Sequence, residues 1–242
     1  MIHDSDGYIN CPHVARDRFV YRIVRLHHLY KLLYKLFHQK ENVLVSPEKW
    51  GDPYENLVSR LAPLNCHCYG QCWTLHYASD AMWRIYSPGP TKNLKERAVR
   101  IRSKICNLLE TLEQRCQSTH AAFIGQVQYL STKNLIAYIE KRRMSCSDSN
   151  SYRTLAETLL VKRLAFKHEG EVRLLLISRD SHGEHGLFRY CVNPNTFIDQ
   201  IMIDPRLDKN EADSLKREIE SETRFTGGKI TRSRLYAPPS LM

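Results

Sequence analysis

Apolar and polar positions along this chain switch repeatedly between a two-residue and a helical period. Residues 19–24 (Phe19-Val20-Tyr21-Arg22-Ile23-Val24) are rich in β-formers and predict a first strand. Leu26, Leu29, Leu33, Leu36 and Phe37 recur at helical spacing and predict an amphipathic helix over 26–38 with a basic outer face. A short strand at 42–45, a Pro-, Gly- and Asp-rich loop at 46–55 and a strand at 69–75 follow. Ser79 and Asp80 are placed to cap a short helix ending near Tyr86, where Ser87-Pro88-Gly89-Pro90 stops it. Leu94, Val99, Ile101, Ile105, Leu108, Leu109 and Leu112 predict a long helix over 93–117. Lys92, Lys95, Arg97, Arg100, Arg102 and Lys104 line its other face. Beyond it the pattern predicts a strand at 122–130 and helices at 132–143 and 152–165, separated by a polar loop at 145–151. Strands at 187–192, 198–203 and 229–236 and a charged helix at 208–223 complete the order.

Strands and helices interleave without a glycine-rich phosphate-binding turn or an internal repeat, so the expected class is α+β. Residues 1–18 read as an N-terminal extension and 19–242 as a single domain.

The stretch Phe166-Lys167-His168-Glu169-Gly170-Glu171-Val172-Arg173-Leu174-Leu175-Leu176 carries the most chemistry. Read as one strand, it places Lys167, Glu169, Glu171 and Arg173 on one face. Two carboxylates that close repel, and one of them gains proton affinity unless a cation compensates. The pair is either a solvated edge braced by Arg173 or an active-site pair.

Composition narrows the partners. The net charge is +10 with 36 Lys and Arg against 26 Asp and Glu, which points to nucleic acid or another polyanion. An acidic partner protein that neutralises the chain fits the same charge. No secretory leader or membrane-spanning run is apparent, so a soluble cytoplasmic protein with no membrane partner is expected. The eight cysteines then read as thiols. Cys66, Cys68, Cys72 and His76 supply enough soft ligands for zinc, but their spacing is not that of a standard knuckle, and no metal is assigned.

Four motifs in order resemble the bacterial family known as domain of unknown function 2971. They are the Tyr21-Arg22 strand, Ser46-Pro47 with Gly51-Asp52-Pro53-Tyr54-Glu55, Cys72-Trp73-Thr74 with Met82-Trp83-Arg84-Ile85-Tyr86, and Glu169-x-Glu171-x-Arg173. Gly51 stands where that family usually has asparagine, and Trp73 where it usually has phenylalanine. The layout is also similar to the ADP-ribosyltransferase superfamily. That resemblance implies a split antiparallel β core with surrounding helices, NAD as cofactor and a transferase acting on nucleic acid or a nucleic-acid-bound protein. A toxin or antiviral-defence setting comes with it.

On the resemblance, Glu171 is the catalytic glutamate and Glu169 the acceptor-orienting residue two before it. Arg22 grips the NAD pyrophosphate, and Thr74 takes the middle-strand hydroxyl position, with Ser46 or Tyr86 as alternatives. Trp73, Trp83 and Tyr86 offer rings to the nicotinamide or adenine. Two other readings stand beside it: an inactive basic nucleic-acid-binding module, and a metal-dependent nuclease using Glu169, Glu171 and Asp52.

Overall fold

The computed structural model describes residues 6–25, 38–56, 66–87, 98–145, 152–180 and 183–237, with side chains to 141 in the fourth segment. The strands are β1 (Tyr8–Ile9), β2 (Phe19–Arg25), β3 (Glu41–Val45), β4 (His67–Thr74), β5 (Ala98–Lys104), β6 (His120–Gln126), β7 (Gln128–Leu130), β8 (Val161–Arg163), β9 (Glu171–Ser178), β10 (Leu187–Cys191), β11 (Gln200–Ile203) and β12 (Lys229–Arg232). The helices are α1 (Asp80–Tyr86), α2 (Ile105–Glu113), α3 (Thr132–Ser145), α4 (Tyr152–Thr158), α5 (Pro194–Phe197) and α6 (Lys209–Thr223). The protein is mixed α+β. The helix expected over 26–38 lies outside the described residues except for His38, as do 146–151 of the expected loop and Lys92, Lys95 and Arg97. Among the described residues no helix is long and apolar enough to cross a membrane.

The chain divides into two compact units. The first takes residues 1–18, 43–75 and 108–190; the second takes 19–42, 76–107 and 191–242. Residues 6–18, set apart as an extension on sequence, contribute β1 to the first unit, where Tyr8 and Ile9 pair in parallel with Ile124 and Gly125.

In the first unit β9 is the central strand, antiparallel to β4 on one side and β6 on the other. All eight of its residues are buried, which suits a Val- and Leu-rich run covered on both faces. Leu155 and Ala156 of α4, with Leu159 and Leu160 beyond it, pack on Phe123, Leu175 and Ile177. The expected 122–130 strand is broken in two. Val127 N–H donates to Glu171 O, and Gln128 N–H then turns to Leu160 O, so β7 leaves β6 and pairs in parallel with β8. The expected 152–165 helix likewise ends at Thr158. Leu159 and Leu160 N–H close short turns on Ala156 and Glu157, and Val161 joins a strand.

In the second unit β5 lies antiparallel between β2 and β11, and β12 runs parallel to β11. Val20, Val24, Val99, Ile101, Ile201, Ile203 and Ile230 share the apolar face by register, and α6 packs on β11 and β12. The long helix expected over 93–117 is corrected here: residues 98–104 are a strand, and the helix covers Ile105–Glu113 only. Val99, Ile101 and Ser103 alternate with Arg100 and Arg102. Strand partners on both sides satisfy that backbone, which outweighs the helical period of the wider window. The predicted cap of α1 holds, and the structure adds one on α6. Ser79 Oγ accepts from Met82 N–H at 3.3 Å, and Asp208 and Glu211 form a reciprocal capping box on α6.

Gly125 of β6 lies beside Ile9 and Leu160. A Cβ there would meet the Ile9 carbonyl oxygen at 2.7 Å and collide with Leu160 Cδ1. Gly125→Ala is therefore expected to destabilise the protein by about 2 kcal/mol, as overpacking against backbone does. Urea unfolding that gives an unchanged midpoint would contradict this packing.

Candidate active site

The double-glutamate phrase is not one strand. Leu164–Glu169 form a 3-10 turn, Gly170 takes the left-handed conformation at φ 51, and β9 begins at Glu171. Lys167 therefore does not share a face with Glu171 and Arg173, and it is exposed. Gly170 has no Cβ to oppose that backbone, and this one residue reverses the chain so that both glutamates are buried together.

What joins them is Lys162 of β8. Its Nζ donates to Glu169 Oε2 at 2.5 Å and Glu171 Oε1 at 2.7 Å, and lies 3.1 Å from Glu55 Oε1. Arg173, wholly buried, donates through Nε to Glu171 Oε2 at 2.7 Å, through Nη2 to Glu55 Oε1 at 2.5 Å and through Nη1 to Leu159 O at 2.7 Å. Its guanidinium stacks 4.4 Å from the Trp50 ring centroid. Trp50 in turn sits where Gly70 leaves room, since a Cβ on Gly70 would meet the indole at 2.7 Å.

The loop motif supplies the third carboxylate. Pro53–Asn56 form a 3-10 turn that starts at Asp52, whose Oδ1 accepts from Tyr54 N–H at 3.1 Å. Asp52 also takes two hydrogen bonds from Arg163 of β8, and Glu55 reaches Lys162 and Arg173. The acidic pair of the loop thus fastens it to β8 and β9. Gly51 faces open space, so asparagine would fit there equally well.

Three carboxylates meet two cations, and the imbalance is resolved by a proton. Burial, reinforced by the neighbouring Glu171, pushes Glu169 from its ordinary 4.5 up to about 7. Burial would also raise Glu171, but the charge of Arg173, hydrogen bonding within the pair and Lys162 outweigh it and hold its carboxyl well below the usual range. Lys162 is subject to the same burial, and Glu171 and Glu169 overcome it to keep its ammonium charged. Tyr129 completes the site: its hydroxyl accepts from Glu171 N–H at 2.8 Å, and burial pushes it up to about 12.

The other candidate residues are placed as follows. Thr74 lies directly across from Glu171, and its hydroxyl donates to Glu169 O at 2.6 Å, tying the 3-10 turn to β4. Trp73 is on the opposite strand face and buried, with its indole N–H donated to Gln71 Oε1 at 2.9 Å. Ser46 caps the Pro47–Lys49 turn, and its N–H donates to Gly186 O. Arg22, Trp83 and Tyr86 belong to the second unit. Arg22 lies in register with Ile101 on the apolar face of β2, Trp83 is buried in α1, and Tyr86 is exposed at its end.

Lys162 was missed on sequence, although a lone lysine after Leu159-Leu160-Val161 is the signal that could have found it. Among the described residues no group of three or more His, Cys, Asp or Glu is arranged to hold a metal. Cys68 and Cys72 are four residues apart on extended β4, roughly 13 Å, too far to share a tetrahedral ion. Burial pushes both thiols up to about 12.

No protein-family model matches this chain, and no curated protein matches it. Among solved structures it is similar to Thermus sp. 2.9 DarT in complex with NAD+, with a TM-score of 0.37 and 9% identity over 93% of this chain and 98% of that one. A likeness that slight carries no weight for the roles of individual residues.

The raised Glu169 sets a stability profile. Its folded-state proton affinity exceeds the unfolded one, so its contribution is complete below pH 4.5 and is lost as pH rises through about 7. Glu171 is the reverse: its contribution is present above 4.5 and lost as pH falls below it. Melting temperatures across pH 4 to 8 should therefore decline above about pH 5 in the wild type and decline less in Glu169→Gln. Identical profiles would remove Glu169 as the proton-holding member.

Proposed function

We propose that this chain is an NAD-dependent ADP-ribosyltransferase-like enzyme that modifies a nucleic acid or a nucleic-acid-bound protein. The observation that supports it most is the pair of carboxylates bridged by Lys162, one held ionised and the other poised to exchange a proton near neutrality. The order of the four sequence motifs and the net charge of +10 support it independently.

NAD, when bound, supplies a ribose that gains positive charge as its bond to nicotinamide breaks. Glu171 is suited to face that charge because Arg173 and Lys162 keep it ionised in a dry setting. Glu169 is suited to take the proton of the attacking acceptor group. Thr74 and Tyr129 act as positioning residues, holding the backbone at Glu169 O and Glu171 N. Both carboxylates are buried, so the reading requires Lys162 to part from them when NAD enters.

One observation favours a second reading, a basic nucleic-acid-binding module without chemistry. Both oxygens of Glu171 and the shared oxygen of Glu55 are engaged by Lys162 or Arg173, as in an internal brace. The nuclease reading is weaker, because the Lys162 ammonium sits between Glu169 and Glu171 and Asp52 is bidentate with Arg163.

Incubation with labelled NAD, RNA, DNA and bacterial lysate separates the first two. Wild type should move label onto a macromolecule, with kcat/KM rising through about pH 7 as Glu169 loses its proton. Glu171→Gln should remain folded and lose transfer by about 100-fold or more. Absence of label with the folded wild type selects the binding module.

A further inference from the structure

The sheet of the second unit has a face that the proposed chemistry does not use. Register places Tyr21, Arg102, Gln200 and Lys229 in one row across β2, β5, β11 and β12. The adjacent row runs Ile23, Arg100, Met202 and Thr231, and on the other side Phe19 is opposite Lys104. These rows lie on the side away from Val20, Val99, Ile201 and Ile230. These rows, with four cations and two aromatic rings, replace the helix surface that the sequence pattern suggested.

Its centre carries a buried charge with no counter-ion among the described residues. Arg100 is buried, its guanidinium lies 4.5 Å from the Tyr21 ring centroid, and it makes no ion pair among the described residues. Among the described residues its Nε has no hydrogen-bond partner, and in the same row the buried Thr231 Oγ1 has none either. Burial, with Arg102 adding repulsion, pushes Arg100 down to about 10. Around it Phe19, Arg102 and Lys104 are half-buried and Lys229 is exposed. Arg102 covers the Phe19 ring at 4.0 Å and holds Asp199 Oδ1 at 2.7 Å.

A buried guanidinium costs free energy unless an anion answers it. Rings capped by guanidinium planes accept bases by stacking, with little regard to sequence. We propose that this face docks single-stranded nucleic acid, with Arg102, Lys104 and Lys229 on phosphates, Arg100 as a fixed charge beneath, and the Phe19–Arg102 stack as a platform for a base. Arg102 and Lys229 are two strand spacings apart, about 10 Å, so one strand passing across the sheet reaches both. The proposal deepens the transferase reading by giving its acceptor a surface, and it rests on that reading only for the nature of the polyanion.

Fluorescence anisotropy with labelled oligothymidylate and with a duplex, over a salt series and without NAD, tests it. Wild type should prefer the single strand. The triple variant Arg102→Ala/Lys104→Ala/Lys229→Ala should bind at least ~10-fold more weakly, with a log–log salt slope shallower by about 2. Phe19→Leu should weaken binding and leave the slope unchanged. Lys133→Ala/Lys141→Ala, at exposed positions of α3, should stay within about 2-fold of wild type. Circular dichroism melts check folding, and Lys229→Glu, at an exposed position, serves if the triple variant unfolds. Equal binding by the triple variant and the Lys133/Lys141 control, or equal affinity for duplex and single strand, overturns the proposal. Glu171→Gln should bind as wild type does. Intact binding with no label transfer from NAD in wild type overturns the transferase reading and leaves this surface standing.

Discussion

Burying five ionisable groups in one place is the constraint on which the first unit depends. Glu55, Lys162, Glu169, Glu171 and Arg173 come from the 3-10 turn at Pro53–Asn56, β8, the 3-10 turn before β9, and β9 itself. Each would be costly to desolvate alone, and together they are tolerable only because every cation has carboxylates at 2.5–3.1 Å. The backbone follows from this. Gly170 adopts φ 51 to return Glu169 to the cluster, Thr74 fixes that turn, and Tyr129 caps the first N–H of β9. Removing one partner leaves a buried charge unanswered, so the network ties two turns and β8 to the central strand.

The same network has a built-in asymmetry. Two cations cannot neutralise three carboxylates, so one carboxyl does best with a proton. Glu171 touches both Lys162 and Arg173, whose charge keeps it ionised, whereas burial beside Glu171 raises the proton affinity of Glu169. The proton therefore settles on Glu169. A structural brace has no need of a group titrating near neutrality, whereas acid–base chemistry does. This is what supports the proposed active site over a brace, and it comes from the burial of Glu169 beside an ionised Glu171.

Local signals were legible and long-range ones were not. Ser79 announced α1 because a cap needs only the residues three positions on, and α6 was read from the charge pattern of 208–223. The Glu169-x-Glu171-x-Arg173 phrase marked the right place, yet strand alternation was extended through Gly170, where the chain turns. The window around Val99, Ile101, Ile105 and Leu108 fits a helix and a strand equally well. Pairing with β2 and β11, over 70 residues away in one direction and over 90 in the other, decides it. Lys162 was invisible for the same reason: its role exists only once β8 has been carried beside β9.

The two units treat buried cations differently, and the difference bears on what the net charge of +10 is for. In the first unit Lys162 and Arg173 are fully answered by carboxylates, so their charge is consumed internally. In the second, Arg100 is buried beside Arg102 with no carboxylate of its own among the described residues, and it stacks on Tyr21. Cation–π contact contributes only about 1–2 kcal/mol, less than the cost of burying a charge without an anion. Folding alone gives no reason to keep such a residue there. An external anion does, and a phosphate supplies it at no cost to the fold. Solubility would be served by lysines on exposed positions, but these cations sit in rows on one sheet face among aromatic rings. On the proposed docking surface their positive charge is therefore placed for contact with a ligand rather than spread for solvation.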